Sequence, residues 1–291
     1  GHLWCRGWRW RFVVFVGTGR VVWAILGGMA MAITFLGTGT SQGIPLIGCD
    51  CAVCGSDDPR DRRTRTSALV SIDGRNVLID ASPELRLQCL ANDVRRLDAV
   101  LVTHTHADHI CGLDDVRRFN QMQAGPLDLY VGAAHLASLE KVFGYARADR
   151  AAHNVDLPQL VFHEVDSTFE LFGERVEALV LPHGRFTVLG YRLGPLGYCT
   201  DLSRMPEEAL ARLRGVEVMV LGALRPDPHP AHLSLDEAVG VARQIGASRT
   251  YFVHMSHHVG HAAYDGQLPE GMQLAYDGLR VQIQADSVLG G

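Results

Sequence analysis

No stretch of this chain reads as a membrane-crossing helix, which needs about eighteen or more consecutive apolar residues without charge. The nearest approach, Phe12 to Ala32, is interrupted by Arg20 and perforated by Gly17, Gly19, Gly27 and Gly28. Before it, Arg6, Arg9 and Arg11 stand among Trp4, Trp8 and Trp10 in the outline of a signal peptide, but no persuasive cleavage site follows. An excess of positive charge is lacking too. With 27 Lys and Arg against 32 Asp and Glu, the net charge is -5 and the pI near 6.3, which argues against a surface built to hold a polyanion. There is neither a linker nor a low-complexity stretch. The glycine-rich segment Gly37 to Gly43 lacks both the lysine of a phosphate-binding P-loop and the helix of a dinucleotide fingerprint. Seven cysteines, odd in number and mostly scattered, do not make a secreted disulfide scaffold, so a reducing, cytoplasmic compartment is expected.

What remains is an ordinary globular composition, 47% hydrophobic and 20% charged over 291 residues, enough for a sizeable core. Residues 32–291 read as one domain. Residues 1–31 read as an atypical leader: an added segment or a start set too early, an extra structured element, or a targeting segment.

The chain is organised around Val102 to Cys111, where His104, His106, Asp108 and His109 fall within six residues after the apolar run Leu97 to Val102. A strand that ends there points His104 and His106 the same way, and an immediate turn brings Asp108 and His109 round to face them. Imidazoles and a carboxylate this close suit Zn, Mn or Fe, and can serve two neighbouring ions. A second cluster, Cys49, Cys51 and Cys54, has the spacing to put three thiolates on one tetrahedral ion, with a fourth ligand from elsewhere. The charge run Asp57 to Arg65 reads as a solvated loop, with Arg62, Arg63 and Arg65 as an optional positive rim for a phosphate.

Around these clusters the pattern alternates strands and helices. Strands are predicted at Ala32–Leu36, Ser67–Ile72 and Asn76–Ile79, the last two joined at Asp73-Gly74. Asp80, at a strand end, is a natural partner for an imidazole that binds metal. Ser82-Pro83-Glu84 reads as the cap of a helix carrying Leu85 to Leu90. A helix Leu113–Met122, a strand Leu127–Val131, a helix Ala133–Phe143 and a loop over 144–160 follow, with His135, His153 and His163 as ordinary histidines. Strands at Val161–Val165, Phe169–Leu171 and Val176–Leu181 lead to His183, and the hairpin Phe186–Leu193/Pro195–Tyr198 leads to Asp201. Pro206–Arg214 is a helix with its proline in the first turn, and Val216–Leu221 a strand. The proline-rich loop Arg225–His232 follows, then a helix Leu235–Ile245 with Ser234 and Glu237 as a capping box. The strand Thr250–Val253 presents His254, and two last strands, Met272–Ala275 and Leu279–Ile283, are joined at Asp277-Gly278. Two sheets face to face with helices outside is the natural architecture.

HxHxDH at His104 to His109, followed by His183, Asp201 and His254, resembles the metallo-β-lactamase superfamily. The resemblance implies a four-layer αββα sandwich with a dinuclear centre along one edge: His104, His106 and His183 on one metal, Asp108, His109 and His254 on the other, Asp201 bridging. Within the superfamily, the glycine-rich first loop, the CxCxxC cluster and His254-Met255-Ser256-His257 are similar to the PhnP-type phosphodiesterases, carbon-phosphorus lyase accessory enzymes that open cyclic ribose phosphates. That likeness implies a structural zinc on Cys49, Cys51, Cys54 and His257, and a catalytic histidine at His232, with His229 the second choice and His258 and His261 near the site or on the surface.

The expected activity is hydrolysis of a small, cyclic phosphodiester such as a cyclic ribose phosphate or nucleotide by a centre of two Mn or Zn ions. In it His232 orients the phosphate or protonates the leaving oxygen, and Asp201, as the sole bridging carboxylate, leaves the site partly electropositive. Competing readings are ribonuclease Z-like tRNA 3′ processing, hydrolysis of a thiolester or β-lactam, and a non-enzymatic metal-dependent scaffold. The acidic balance and the absence of a long basic insertion speak against nucleic acid as partner. No membrane contact is expected, and a homodimer is the default assembly.

Overall fold

The computed structural model describes residues 12–17, 20–25, 30–151 and 156–284. His153, Cys5 and the first eleven residues lie outside them. Strands β1 (Phe12–Gly17) and β2 (Arg20–Ile25) pair with each other, antiparallel, as a two-stranded sheet separate from the other strands.

The rest is two mixed sheets of seven strands each. The first takes β3 (Ala30–Gly37), β4 (Ser67–Ile72), β5 (Arg75–Ile79), β6 (Ala99–Val102), β7 (Leu127–Gly132) and β8 (Leu160–Val165) in chain order. The chain then builds the second from β9 (Thr168–Leu171), β10 (Glu174–His183), β11 (Phe186–Leu193), β12 (Leu196–Cys199), β13 (Val218–Gly222), β14 (Arg249–Val253) and β15 (Met272–Leu274), and returns as β16 (Arg280–Gln284) beside β3. Helices α1 (Leu85–Ala91), α2 (Ala107–Ile110), α3 (Arg117–Gln123), α4 (Ala133–Phe143) and α5 (Ala148–Ala151) follow strands of the first sheet. Helices α6 (Glu207–Leu213), α7 (Leu235–Ile245) and α8 (His261–Tyr264) belong to the second.

Strand periodicity explains the layering. All five residues of β13 are buried, yet Val218 and Val220 enter the core between the sheets while Met219 and Leu221 pack under α6 and α7. Leu85, Phe119 and Leu139 cover the opposite face of the first sheet with Val100 and Val102. Each such side chain fully buried contributes on the order of 1.5–3 kcal/mol, and the result is the four-layer αββα sandwich. No helix among the described residues is long and apolar enough to cross a membrane.

Several local expectations are corrected. The last two strands are not a hairpin: β15 lies parallel to β14 in one sheet and β16 antiparallel to β3 in the other. Asp277 pins that crossover, accepting hydrogen bonds from Thr38 Oγ1, Thr64 Oγ1 and the Thr64 amide at 2.6–2.8 Å. Ser82 does not cap α1, because its hydroxyl is spent on Gln88 Oε1. Residues Leu113–Val116 wind as a 3-10 turn, which puts Leu113 and Val116 on one buried side, before α3 begins. Pro206 stands at the N-cap of α6 rather than inside it. The 144–160 stretch is not all loop: it carries a 3-10 turn, Gly144–Ala146, as well as α5.

The charge run departs most from its sequence reading. Arg63 is 1% exposed, and its guanidinium donates to Val259 O and pairs with Asp61, whose carboxylate also accepts from the His261 amide. Arg65 pairs with Glu84 and donates to Ser41 O. These two arginines tie loops together instead of forming a positive rim.

Candidate metal centre

One edge of the sandwich collects the strand ends. β6 runs into His104, β10 ends on His183, β12 is followed by Asp201 after one residue, and β14 is followed at once by His254. His106 has extended backbone at the N-cap of α2, so the chain turns immediately and Asp108 and His109 ride the helical turn back toward the other ligands. Asp80, Asp201 and His254, each just past a strand, adopt φ of +61°, +56° and +60°. A side chain in this left-handed region costs on the order of 1–2 kcal/mol, so three such residues at one sheet edge mark stored strain at a functional site.

The donor atoms fall into sets whose members lie within 4.8 Å of one another: His104, His106 and His183; Asp108, His109 and His254; and Asp201 with His104 and His109. His104 Nε2 and His106 Nδ1 stand 2.9 Å apart, and Asp201 puts Oδ1 3.1 Å from His254 Nε2 and Oδ2 3.4 Å from His109 Nε2. Asp201 thus belongs with both sets.

Partners behind the imidazoles decide which nitrogen is free. Asp80 accepts from the Thr103 amide and Thr103 Oγ1, at 2.8 and 2.7 Å, and from His109 Nδ1 at 2.7 Å. Because the Thr103 hydroxyl donates to Asp80, it accepts from His104 Nδ1 at 3.0 Å. His183 Nδ1 donates to Ala231 O at 2.9 Å. In all three rings Nδ1 is committed to a partner behind it, so Nε2 is the atom aimed at the centre. Thr103 was not singled out in the sequence; its position directly before His104 was the signal.

The donors fit a pair of cations. His109 Nε2 and His254 Nε2 are buried without a hydrogen-bond partner, a cost of about 1–3 kcal/mol per group that coordination removes. Burial alone would favour protonating Asp108 and Asp201, yet the surrounding imidazoles, His109 and His254 foremost, hold both carboxyls well below their usual range. Burial, reinforced by His109, pushes His104 down and keeps it neutral, the state a ligand needs.

His232 also comes within reach of the centre, its donor atom forming a further set with those of His183 and Asp201. Its Nδ1 is 3.5 Å from Asp201 Oδ1, its ring stacks on His254 at 5.0 Å, and burial with the neighbouring His254 pushes it down to about 3. His229, 5.1 Å from His232 between ring centres, accepts the Ala231 amide and turns back onto its own loop. His258 is exposed and bonded to Ser256, and His261 is buried beside Tyr276; neither belongs to a ligand set. His163 pairs with Asp128 away from the edge. His135 is nearer than the sequence indicated, its ring 6.4 Å from that of His104 and its Nε2 donating to Thr187 O.

The second cluster assembles too. His257 Nδ1 lies 3.4 Å from the sulfurs of Cys49 and Cys51 and 3.9 Å from that of Cys54. A tetrahedral zinc separates bound sulfur and nitrogen by about 3.5 Å, so the spacing of the four side chains is consistent with a structural zinc. The Cys54 amide, followed by the neighbouring cysteines and His257, draws the Cys51 thiol down to about 6, toward the thiolate that zinc needs.

A cavity of about 370 Å³ opens over the first centre. Besides the ligands and His232 it is lined by Ser41, Gly184, Arg185, Phe186 and Ala231, of which Gly184, Arg185 and Phe186 directly follow His183 and carry no ligand-like signal of their own in the sequence. A larger cavity, about 500 Å³, lies between α1 and α3 and touches no ligand set.

Comparison with known proteins agrees with this geometry. The family model described as β-lactamase superfamily domain matches residues 75–255. An octanoyltransferase of Porphyromonas gingivalis is 35% identical over 261 residues, 89% of this chain and 53% of that protein. A coenzyme PQQ synthesis protein B of Methylorubrum populi is 34% identical over 135 residues, 41% of this chain and 44% of that one, so the chain spans about half the length of the curated relatives it matches. Among solved structures, a diphosphatase from the PhnP family superposes with a TM-score of 0.80 at 43% identity, covering 86% of this chain and 97% of the other. From ligand geometry, family match and this likeness together, the chain belongs to the β-lactamase superfamily and, within it, to the PhnP family.

Proposed function

We propose that this protein is a metal-dependent phosphodiesterase acting on a small phosphodiester, with a cyclic ribose phosphate or nucleotide as the type of substrate. One observation carries the reading: two sets of donors share Asp201, and His232 stands against that carboxylate at the wall of the cavity. His104, His106 and His183 would hold one ion, Asp108, His109 and His254 the other, with Asp201 common to both; Zn and Mn both suit this mixture of nitrogen and oxygen. When bound, two such cations supply an acidified water and neutralise charge gathering on the phosphoryl oxygens.

The protein's own side chains do the rest. Only two of the seven donors are carboxylates, so two dications keep net positive charge and the cavity selects an anionic substrate. Asp80, acting through Thr103 and His109, holds the ligand rings in one tautomer, and Ala231 O does the same for His183. His232 turns Nδ1 to Asp201, so its Nε2 is the atom placed to hold a phosphoryl oxygen or pass a proton to the leaving oxygen. The relative at 43% identity is a diphosphatase, and cleavage of a phosphoric anhydride asks for the same displacement at phosphorus.

A cavity of about 370 Å³ takes a small molecule rather than a nucleic acid. The six described cysteines are all free, in keeping with a reducing, cytoplasmic setting. A homodimer completes the proposal, as does a boundary that puts 32–291 in the hydrolase domain. The test is turnover of bis(p-nitrophenyl) phosphate by protein supplied with Mn²⁺, lost in His232→Ala. A folded, metal-loaded wild type that never cleaves the diester overturns the proposal.

A further inference from the structure

Two side chains at the mouth of the cavity hold neither the fold nor a metal. Arg185 is exposed and its side chain makes no ion pair or hydrogen bond among the described residues, as holds for other surface arginines such as Arg62 and Arg204, but Arg185 lines the cavity and they do not. Phe186 is 66% exposed, and its ring meets that of His106 edge-to-face at 6.0 Å. A lone exposed phenylalanine is unremarkable. An uncommitted guanidinium next to an exposed aromatic ring, both lining the cavity that holds the metal ligands, is different, because together they meet an anion and a planar group.

Their placement is fixed by the hairpin that delivers a ligand. Phe186 is paired directly with His183 across β10 and β11. Between them Gly184 takes φ +57°, and a Cβ there would lie 3.3 Å from Ala231 Cβ, so the turn leans on the loop that carries His232. Whatever touches Arg185 and Phe186 is thus held in register with His183 and the loop of His232.

We propose that Arg185 and Phe186 form a subsite for the portion of the substrate beyond the scissile phosphate, and that this portion carries a second phosphoryl group and a planar base: the substrate class is a nucleoside diphosphate ester. This rests on the phosphodiesterase reading for its chemistry, but not for its binding. The guanidinium takes the second phosphoryl group in a forked contact, and the ring stacks on the base.

The test titrates three ligands that the centre cannot cleave at a phosphoric anhydride, α,β-methylene-ADP, AMP and methylenediphosphonate, into the metal-loaded full chain. Arg185→Ala is expected to weaken α,β-methylene-ADP and methylenediphosphonate by about tenfold and leave AMP unchanged. Phe186→Ala is expected to weaken α,β-methylene-ADP and AMP by about tenfold and leave methylenediphosphonate unchanged, with Phe186→Trp restoring both. Turnover of methyl p-nitrophenyl phosphate, which lacks base and second phosphoryl group, reports on the centre separately from the subsite. Variants that bind every ligand as the wild type does, or that lose all three alike, overturn the subsite. The crossed pattern in a protein that never cleaves the small diester would keep the subsite and overturn the phosphodiesterase instead.

Discussion

Asp80 Oδ2 lies 2.7 Å from His109 Nδ1, and neither side chain reaches solvent. One carboxylate there serves three donors, since the Thr103 amide and hydroxyl also point at it, and through the hydroxyl it orients His104 as well. An amide has one acceptor oxygen and cannot do this. Asp80→Asn is therefore expected to lower metal affinity by about 10- to 100-fold, measured by competition with a chromogenic chelator. Unchanged affinity would mean that Asp80 only fills space.

Removing a donor and removing His232 should have different signatures. His104→Ala and Asp201→Ala are expected to lose both metal loading and turnover. His232→Ala should keep its metals while turnover falls by about 10²- to 10⁴-fold. Metal content by mass spectrometry beside kcat on the diester separates the two outcomes, and full occupancy with normal activity in Asp201→Ala would contradict the ligand assignment.

The thiolate cluster reaches the catalytic edge through three residues, since His257 follows His254 on one segment, and Met255 between them bonds to Thr38 O and Thr40 N. Cys51→Ser is expected to cost one equivalent of zinc and on the order of 3 kcal/mol of stability, and to lower turnover although no catalytic ligand has changed. Denaturant unfolding with parallel zinc analysis checks it; wild-type turnover in a zinc-depleted variant would sever the link.

Thiol reactivity should follow burial. Cys111 is exposed, whereas burial pushes the Cys89 thiol up to about 12 and raises that of Cys199 further. The nucleophile is the thiolate, and a raised pKa leaves less of it at any pH below that value. At pH 8, iodoacetamide is therefore expected to modify Cys111 rapidly and Cys89 and Cys199 slowly, with Cys49, Cys51 and Cys54 becoming reactive only after chelation. Peptide mapping over time reads this, and early labelling of Cys89 would contradict the packing of α1.

How far the site was legible depended on how local its signals are. HxHxDH and CxCxxC are short-range patterns, and His183, Asp201 and His254 each sit where an apolar run stops. The capping box of α7, Ser234 with Glu237, is equally local and forms as its spacing implies. The charge run Asp57 to Arg65 looks solvated in sequence because burial of Arg63 depends on Asp61 and on Val259, nearly two hundred residues away. No window of sequence contains that pairing. The tail differs from its local pattern for the same reason: Asp277-Gly278 has the composition of a hairpin turn, but the partners that hold Asp277 are Thr38 and Thr64.

Periodicity, strand-end punctuation and residue chemistry by themselves determined that this chain forms a layered sandwich and carries donors for three ions, because those properties are written in neighbouring residues. Only the tertiary structure decided which sheet each strand joins, which ring nitrogen each histidine offers, and that Arg185 and Phe186 overlook the centre. Those follow from contacts between segments far apart in the chain, where packing and hydrogen bonding, rather than local preference, select one arrangement.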